Sequence, residues 1–359
     1  MKKYLKNVTL FLLPVAIVIL IPSMVLRTSA EAFYNINNVI SLDGDTPYIL
    51  GYAYNGKGTN YEYFKSQKTI KIKPDLLVLG SSRVLQFREY MFNTKFYNAG
   101  FSVGTIQDYL TFLKLLPKDY KPKLVIMGFD QWMFNIDYYN NKKTYSSSIY
   151  TENKSLDMSN GFSNLLKVYK EIFNGKINYQ NLNQKNDTTY FGLNATINKK
   201  GFRNDGSFDY GINHKYYNDF TTVHDFFARE MASISNNKKY FTYGDDVSLE
   251  AIKKYEELLV YCANNNIKLV AFLPPLPKSV NTKMQQLGRY TYIGKIKDHL
   301  IPLSETYNSE FYDLTDIESL SVDDQYIDGH HGNEKIYGQA LNVISKLNPD
   351  SRIVNFLND

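Results

Sequence analysis

One cysteine among 359 residues, Cys262, excludes an intramolecular disulfide and any metal site built on paired thiolates. It falls on the apolar face of an expected helix and reads as a core residue. Histidine is also scarce: His214, His224, His299, His330 and His331 are the only imidazoles available as a base. Trp132 is the single tryptophan. The net charge of +5 is spread along the chain, with no concentrated basic stripe. That argues against nucleic acid as a partner and suits an anionic polymer or a membrane surface. No internal repeat at solenoid periods is present, and no hydrophobic stretch after residue 26 is long enough to cross a membrane. The sequence calls for no cofactor and no metal.

Aromatics are abundant, with 31 Tyr and 22 Phe. Such a surface suits stacking on carbohydrate, and it equally fits a chain biased toward Asn, Lys and Tyr. Charged residues at 21% and hydrophobic ones at 43% place the bulk among globular proteins, as one large domain or two small ones. Lys2, Lys3 and Lys6 precede an uncharged run over 7–26 rich in Leu, Ile and Val. That is about the 20 residues a membrane-spanning helix needs. The lysines place the N-terminus in the cytoplasm and the remaining chain outside. The competing reading is a cleaved signal at Ala30-Glu31-Ala32, but the apolar run is longer than a usual signal core.

Residues 1–29 therefore read as a membrane anchor and 30–73 as an exported connector. From 74 a regular alternation begins. Apolar runs at 76–79, 95–98 and 124–127 read as strands, with helices at 82–91 and 105–116. The alternation resumes with a helix over 249–264 and a strand over 267–273. A helix over 282–300, a strand over 311–314 and a helix over 333–346 follow. This βαβαβ…αβαβα series implies a parallel sheet with helices on both faces, built from 74–130 and 246–359. Between 131 and 245 the pattern breaks, and so long a segment reads as an insertion or cap.

Two motifs carry chemistry. Gly80-Ser81-Ser82-Arg83 leaves the first strand at its C-terminal end, where parallel sheets place their sites. By itself it is a plain helix cap. Asp328-Gly329-His330-His331 sits on a loop entering the last helix. An Asp three residues before a His can accept from its Nδ1–H and leave Nε2 free to take a hydroxyl proton. Arg83 reads either as an anchor for a phosphate or carboxylate, or as a surface arginine paired with Asp130 or Glu89. Trp132 reads either as a sugar-stacking face or as core.

Taken together, the strand-end Gly-Ser-Ser, Asn98-Ala99-Gly100, Gly128-Phe129-Asp130 and the terminal Asp328-x-x-His331 resemble the four blocks of the SGNH (GDSL-like) hydrolase family. The resemblance covers roughly 74–130 and 246–347. It implies a three-layer α/β/α, flavodoxin-like domain carrying a large insertion and one N-terminal transmembrane helix. It also implies Ser82 as nucleophile, Asp328 and His331 as acid and base, and the N–H groups of Ser82 and Gly100 as oxyanion donors. Ser81 stands where the family has Asp. Asp130 stands where it has an oxyanion-hole Asn, and an ionised carboxylate cannot donate there. Gly128-x-Asp130-x-Trp132 resembles a block of the membrane-anchored, DltD-like and alginate O-acetylation-like subgroup. The segment 201–207, with Arg203 and Asp205, resembles a motif in that subgroup's insertions and equally reads as a polar turn. The subgroup implies acyl transfer or ester hydrolysis on a cell-envelope polysaccharide or related polymer. It implies too an integral-membrane acyltransferase as partner. A simple exported esterase and a non-catalytic polymer-binding or scaffold protein on the same fold are the alternatives.

Overall fold

The chain is described here by a computed structural model over residues 1–31, 36–42, 46–51, 61–141, 144–152, 161–178, 182, 188–211 and 227–358. It divides into two units. The smaller comprises Met1–Asn60, Asn153–Asn204 and Phe208–Asn213; the larger comprises Tyr61–Glu152, Asp205–Ser207 and His214–Asp359. In chain order the strands are β1 (Tyr48–Leu50), β2 (Leu76–Gly80), β3 (Phe96–Asn98), β4 (Leu124–Gly128) and β5 (Thr189–Phe191). They continue with β6 (Gly201–Phe202), β7 (Phe208–Asp209), β8 (Lys268–Leu273) and β9 (Glu310–Asp313).

In the larger unit the strands form one parallel sheet in the order β3-β2-β4-β8-β9. Side chains alternate across a strand, so continuous apolar runs serve two cores at once. Leu77, Leu79, Val125, Met127, Leu269 and Ala271 face one core. Leu76, Val78, Leu124, Ile126, Val270 and Phe272 face the other. The first face is covered by helices Ile106–Lys114, Leu249–Asn264, Lys278–Leu287 and Tyr292–Thr306. The second is covered by helix Glu334–Leu347 and by Val84, Phe87 and Phe92. Cys262 is buried in the first core. The mixed α/β organisation with a parallel sheet is thus as the alternation implied.

Three local expectations need correction. The helix expected over 82–91 is replaced by two 3-10 turns, Ser82–Val84 and Glu89–Met91. Asn98 Nδ2 donates to the carbonyls of Val84 and Phe87 at 2.8 and 3.0 Å and ties this segment down across the adjacent strand. The single helix expected over 282–300 is two, Lys278–Leu287 and Tyr292–Thr306, because Gly288 takes a left-handed φ of +61° and ends the first. Within 30–73, Tyr61–Ile72 is a helix of the larger unit. Its buried side includes Lys65 and Lys68 as well as Tyr61 and Phe64, so it shows no clean apolar stripe.

Lys65 is fully buried and donates to the backbone carbonyls of Asn98, at 2.8 Å, and Gly206. Burial pushes its pKa well below the usual lysine range, with Asp205 opposing. The Asn98 N–H donates to the Asp205 carbonyl at 2.8 Å, so Asp205–Ser207 continues the bonding at the β3 edge.

In the smaller unit, β5-β1-β6-β7 form a short mixed sheet. Its N-terminal helix, Lys2–Thr28, has 27 residues and is long and apolar enough to cross a membrane. Ala32, part of the candidate cleavage site, lies outside the described residues.

Gly206 has a φ of +79°, and a methyl group there would land on the Asn98 carbonyl oxygen. Gly206→Ala should therefore cost on the order of 2–4 kcal/mol, through backbone strain plus loss of the Lys65 tie. A urea unfolding midpoint unchanged from that of the parent protein would rule out this packing.

Candidate active site

The turn after β2 is set by its own first serine. Ser81 caps the 3-10 turn, its Oγ accepting from the Arg83 N–H at 3.2 Å. That places the half-buried Ser82 at the C-terminal edge of the sheet. Across from it, residues 326–332 close on themselves. Ile327 N–H donates to the His331 carbonyl at 2.7 Å, and Tyr326 pairs with Gly332. Inside this loop, Asp328 Oδ1 accepts from the backbone N–H groups of His330 and His331 at 3.1 and 2.9 Å. His331 Nδ1 lies 2.7 Å from Asp328 Oδ2 and 2.8 Å from Oδ1. Its Nε2 lies 2.7 Å from Ser82 Oγ, 249 positions away in sequence. With the Nδ1–H donated to Asp328, Nε2 is left to accept from the serine hydroxyl. Burial raises the pKa of Asp328, but the His331 ring, its hydrogen bond and the loop N–H groups outweigh it and hold the carboxyl well below its ordinary range.

Neither a scan of protein-family models nor a search of curated proteins returns a match.

Arg83 is 1% exposed, and its guanidinium is almost fully used by the protein. Nε donates to the His330 carbonyl at 3.0 Å. Nη1 donates to Gln131 Oε1 at 2.6 Å and to Asp130 Oδ1 at 3.4 Å. Nη2 donates to the carbonyls of Pro274 and Pro275 at 2.9 and 2.7 Å. The Trp132 ring lies 5.3 Å from it. Of the two readings of Arg83, the surface arginine paired with Asp130 or Glu89 needs correction: Asp130 is a partner, but the residue is buried because carbonyl and amide oxygens take up its other donors, and the guanidinium is not presented to an outside anion.

Ser81, Ser82, Asp130, Trp132 and His330 line one pocket of about 110 Å³. Glu62, Tyr138, Tyr145 and Tyr240 line it as well. Asp130 is 1% exposed, and its Oδ2 has no hydrogen-bond partner among the described residues. Burial pushes its pKa above the usual carboxylate range, with Arg83, a Ser81 hydrogen bond and His331 opposing. The pKa of His330 is driven well below the usual histidine range by burial and by His331 beside it, with Asp328 opposing. Trp132 is both buried and pocket-lining, packed at 4.7 Å from the Tyr240 ring.

The other expected positions do not join this pocket. The Gly100 N–H donates to Asn98 Oδ1 at 2.8 Å, so it is committed inside the protein and not directed at an oxyanion. A methyl at Gly100 would meet Val84 at 2.7 Å, which accounts for the glycine by packing alone. Asn98 is fully buried and serves the turn that follows Ser82. Arg203 belongs to the smaller unit, paired with Asp209 at 3.0 Å. Asp205 holds Arg88 Nε at 3.2 Å, the Glu89 N–H at 3.1 Å and the Ser207 hydroxyl at 2.6 Å. His214 and His224 lie outside the described residues. The pocket tyrosines, Glu62, Gln131 and His330 were not singled out from sequence. Only Gln131 and His330, adjacent to residues that were, offered any signal.

Asp328, His330 and His331 also bring potential metal-ligand atoms within 4.8 Å of one another. A cation there would have to displace the Asp328–His331 hydrogen bond, so the ion and the Ser82–His331–Asp328 arrangement exclude each other.

Two outcomes follow. Arg83→Lys cannot reproduce the planar fork and strands several buried acceptors, so it should lower the unfolding free energy by about 3 kcal/mol. Chemical denaturation checks this. Because the folded pKa of Asp328 is depressed, its contribution is present at neutral pH and fades as pH falls below about 4. The stability gap between the parent and Asp328→Asn should therefore narrow from pH 6 to pH 3.

Proposed function

We propose that the chain is a membrane-anchored, outward-facing serine acyltransferase or esterase of SGNH type. Its substrate would be hydroxyl esters of a cell-envelope polysaccharide or related polymer. The observation that carries this reading is the continuous Ser82–His331–Asp328 hydrogen-bond chain, with both links at 2.7 Å. Its support at the level of fold is the strand order, which is flavodoxin-like: the first strand of the parallel sheet lies between the second and the third, and Ser82 leaves from that first strand.

In this reading Ser82 attacks an acyl carbonyl while His331 takes its proton and Asp328 holds the ring. The leaving oxygen recovers the proton from His331. A polymer hydroxyl or water then attacks the acyl-serine with His331 again as base. The oxyanion would be met by the Ser82 N–H, which has no protein acceptor among the described residues. Asp130 supplies the second donor when protonated, a form that its burial favours. A pocket of about 110 Å³ is small beside the roughly 300–1,000 Å³ of drug-sized sites, and so suits a short acyl group. Trp132 and the tyrosine hydroxyls around it suit a polyhydroxylated acceptor. The N-terminal helix, with Lys2, Lys3 and Lys6 on the cytoplasmic side, would anchor the chain beside an integral-membrane acyltransferase that delivers the acyl group.

A non-catalytic polymer-binding role is favoured by one observation. The unpartnered Oδ2 of Asp130, if ionised, would repel an oxyanion at Ser82.

A fluorophosphonate probe should label the protein, and Ser82→Ala but not Ser81→Ala should abolish labelling. Equal labelling of Ser82→Ala would remove the serine-enzyme reading. Hydrolysis of a p-nitrophenyl ester should fall about 10³-fold or more in His331→Ala. If neutral Asp130 is a donor, activity should decline as pH rises through its elevated pKa. Asp130→Asn, which donates at every pH, should keep activity and lose that decline, whereas Asp130→Ala should lose about 10²-fold. An inactive Asp130→Asn would mean that the carboxylate charge itself is needed.

A further inference from the structure

Proline inside a helix removes one N–H and leaves the carbonyl four residues earlier without its helical donor. In helix Lys2–Thr28, Pro22 does this to Val18. In the hydrocarbon of a membrane such an orphan costs several kcal/mol unless another group satisfies it. Here the donor comes from elsewhere in the same unit: the Tyr169 hydroxyl donates to the Val18 carbonyl at 2.8 Å.

Tyr169 lies on helix Gly161–Phe173. Val168 of that helix is fully buried in a cluster with Val25 and Leu26 of the anchor and with Ile177, Leu193 and Ile197. Leu165 and Ile172 pack against the same cluster. The opposite side is exposed, and its apolar members are large: Leu166 is 56% exposed and Phe173 is 84% exposed. Lys170, between them, is exposed too. At 1.5 Å per residue, Val18 lies roughly 12 Å inside the C-terminal end of the apolar run, well within one leaflet. A helix bonded at that depth cannot stand clear of the lipid.

We propose that helix Gly161–Phe173 is a second membrane element. It lies in the leaflet at the C-terminal end of the anchor, latched by the Tyr169–Val18 hydrogen bond that Pro22 makes available, with Leu166 and Phe173 among the acyl chains. Lys170 reaches back along its stem to the phosphate headgroups. This rests on the reading that helix Lys2–Thr28 spans the membrane.

Spin labels test it in the full chain, reconstituted in phosphatidylcholine–phosphatidylglycerol vesicles. Cys262 is buried, so cysteines introduced as Leu12→Cys, Leu166→Cys and Phe173→Cys can be labelled one at a time. Labels at 166 and 173 should collide with oxygen, which dissolves in lipid, in preference to a water-soluble nickel chelate, as the label at 12 does. A lipid signature at 12 with a water signature at 166 and 173 would overturn the proposal and leave the anchor standing. Protection from both agents at 166 and 173 would mean that a second copy covers the face, which also overturns it. A water signature at 12 would remove the anchor, and this proposal with it. Tyr169→Phe should raise the water-exposed fraction at 173 about tenfold, the effect of stranding one buried acceptor. Pro22→Ala restores the missing backbone N–H and gives the Val18 carbonyl its helical donor, so in that background the same Tyr169→Phe change should have no effect. An equal response in both backgrounds would refute the latch.

Discussion

A single buried guanidinium holds the C-terminal edge of the parallel sheet together. Arg83 follows Ser82 directly, yet it points inward and binds residues just beyond β4 and β8 and on the loop that carries the histidines. Parallel strands end with unpaired carbonyls at their C-terminal edge, and Pro274 and Pro275 present two of them here. A planar group with five donors satisfies such a cluster where a lysine could not. The near neighbour of opposite charge, Asp130, is only loosely engaged at 3.4 Å. Most of the desolvation of Arg83 is therefore offset by neutral carbonyl and amide oxygens. This has a chemical result next door. A carboxyl that is buried, but not tightly paired, drifts toward its protonated form, and Asp130 is in that position beside Ser82.

The sheet was legible in the sequence because its strands are buried on both faces. Runs such as 76–79 and 124–127 cannot be much else when turn residues bound them. The helix over 249–264 was legible for the converse reason: Ile252, Tyr255, Leu258, Leu259 and Cys262 recur at helical spacing, and all are buried except Ile252, which is partly so. The Ser82, Asp328 and His331 positions were legible from their places at strand ends and loop, although their contact at 2.7 Å is a tertiary fact that no spacing encodes. What sequence patterning missed shares a cause. Where a buried surface is polar, the periodicity that marks burial is absent. Helix Tyr61–Ile72 buries two lysines. The 82–91 segment is shaped by an asparagine side chain from a neighbouring strand. One of the two readings of Arg83 made it a surface charge, as arginine usually is. Gly100 was read by its place in a motif, while its N–H is taken by Asn98 only two residues earlier.

The same polar economy links the sheet edge to the residues after the break in the pattern. Lys65, Asn98 and Gly206 exchange hydrogen bonds at the β3 edge, and Asp205 adds Arg88 and the Glu89 N–H to the set. An edge strand normally offers its free backbone groups to any passing chain. Here those of Asn98 are occupied by a lysine side chain and by the protein's own 205–207 segment.

The closed loop of residues 326–332 has one further consequence. Asp328 and His331 are fixed to each other by contacts made entirely within seven consecutive residues. The alignment of Asp328 with His331 is therefore built from local contacts, without help from the turn that carries Ser82. The Ser82–His331 distance depends in addition on how the loop is seated. Contacts that seat it include the Arg83 Nε bond to the His330 carbonyl, the Tyr326 hydroxyl bond to the Leu320 carbonyl and the packing of His330 on Trp132 and Tyr240. The Ser82–His331 contact is thus the point where a self-closed loop meets the turn after β2.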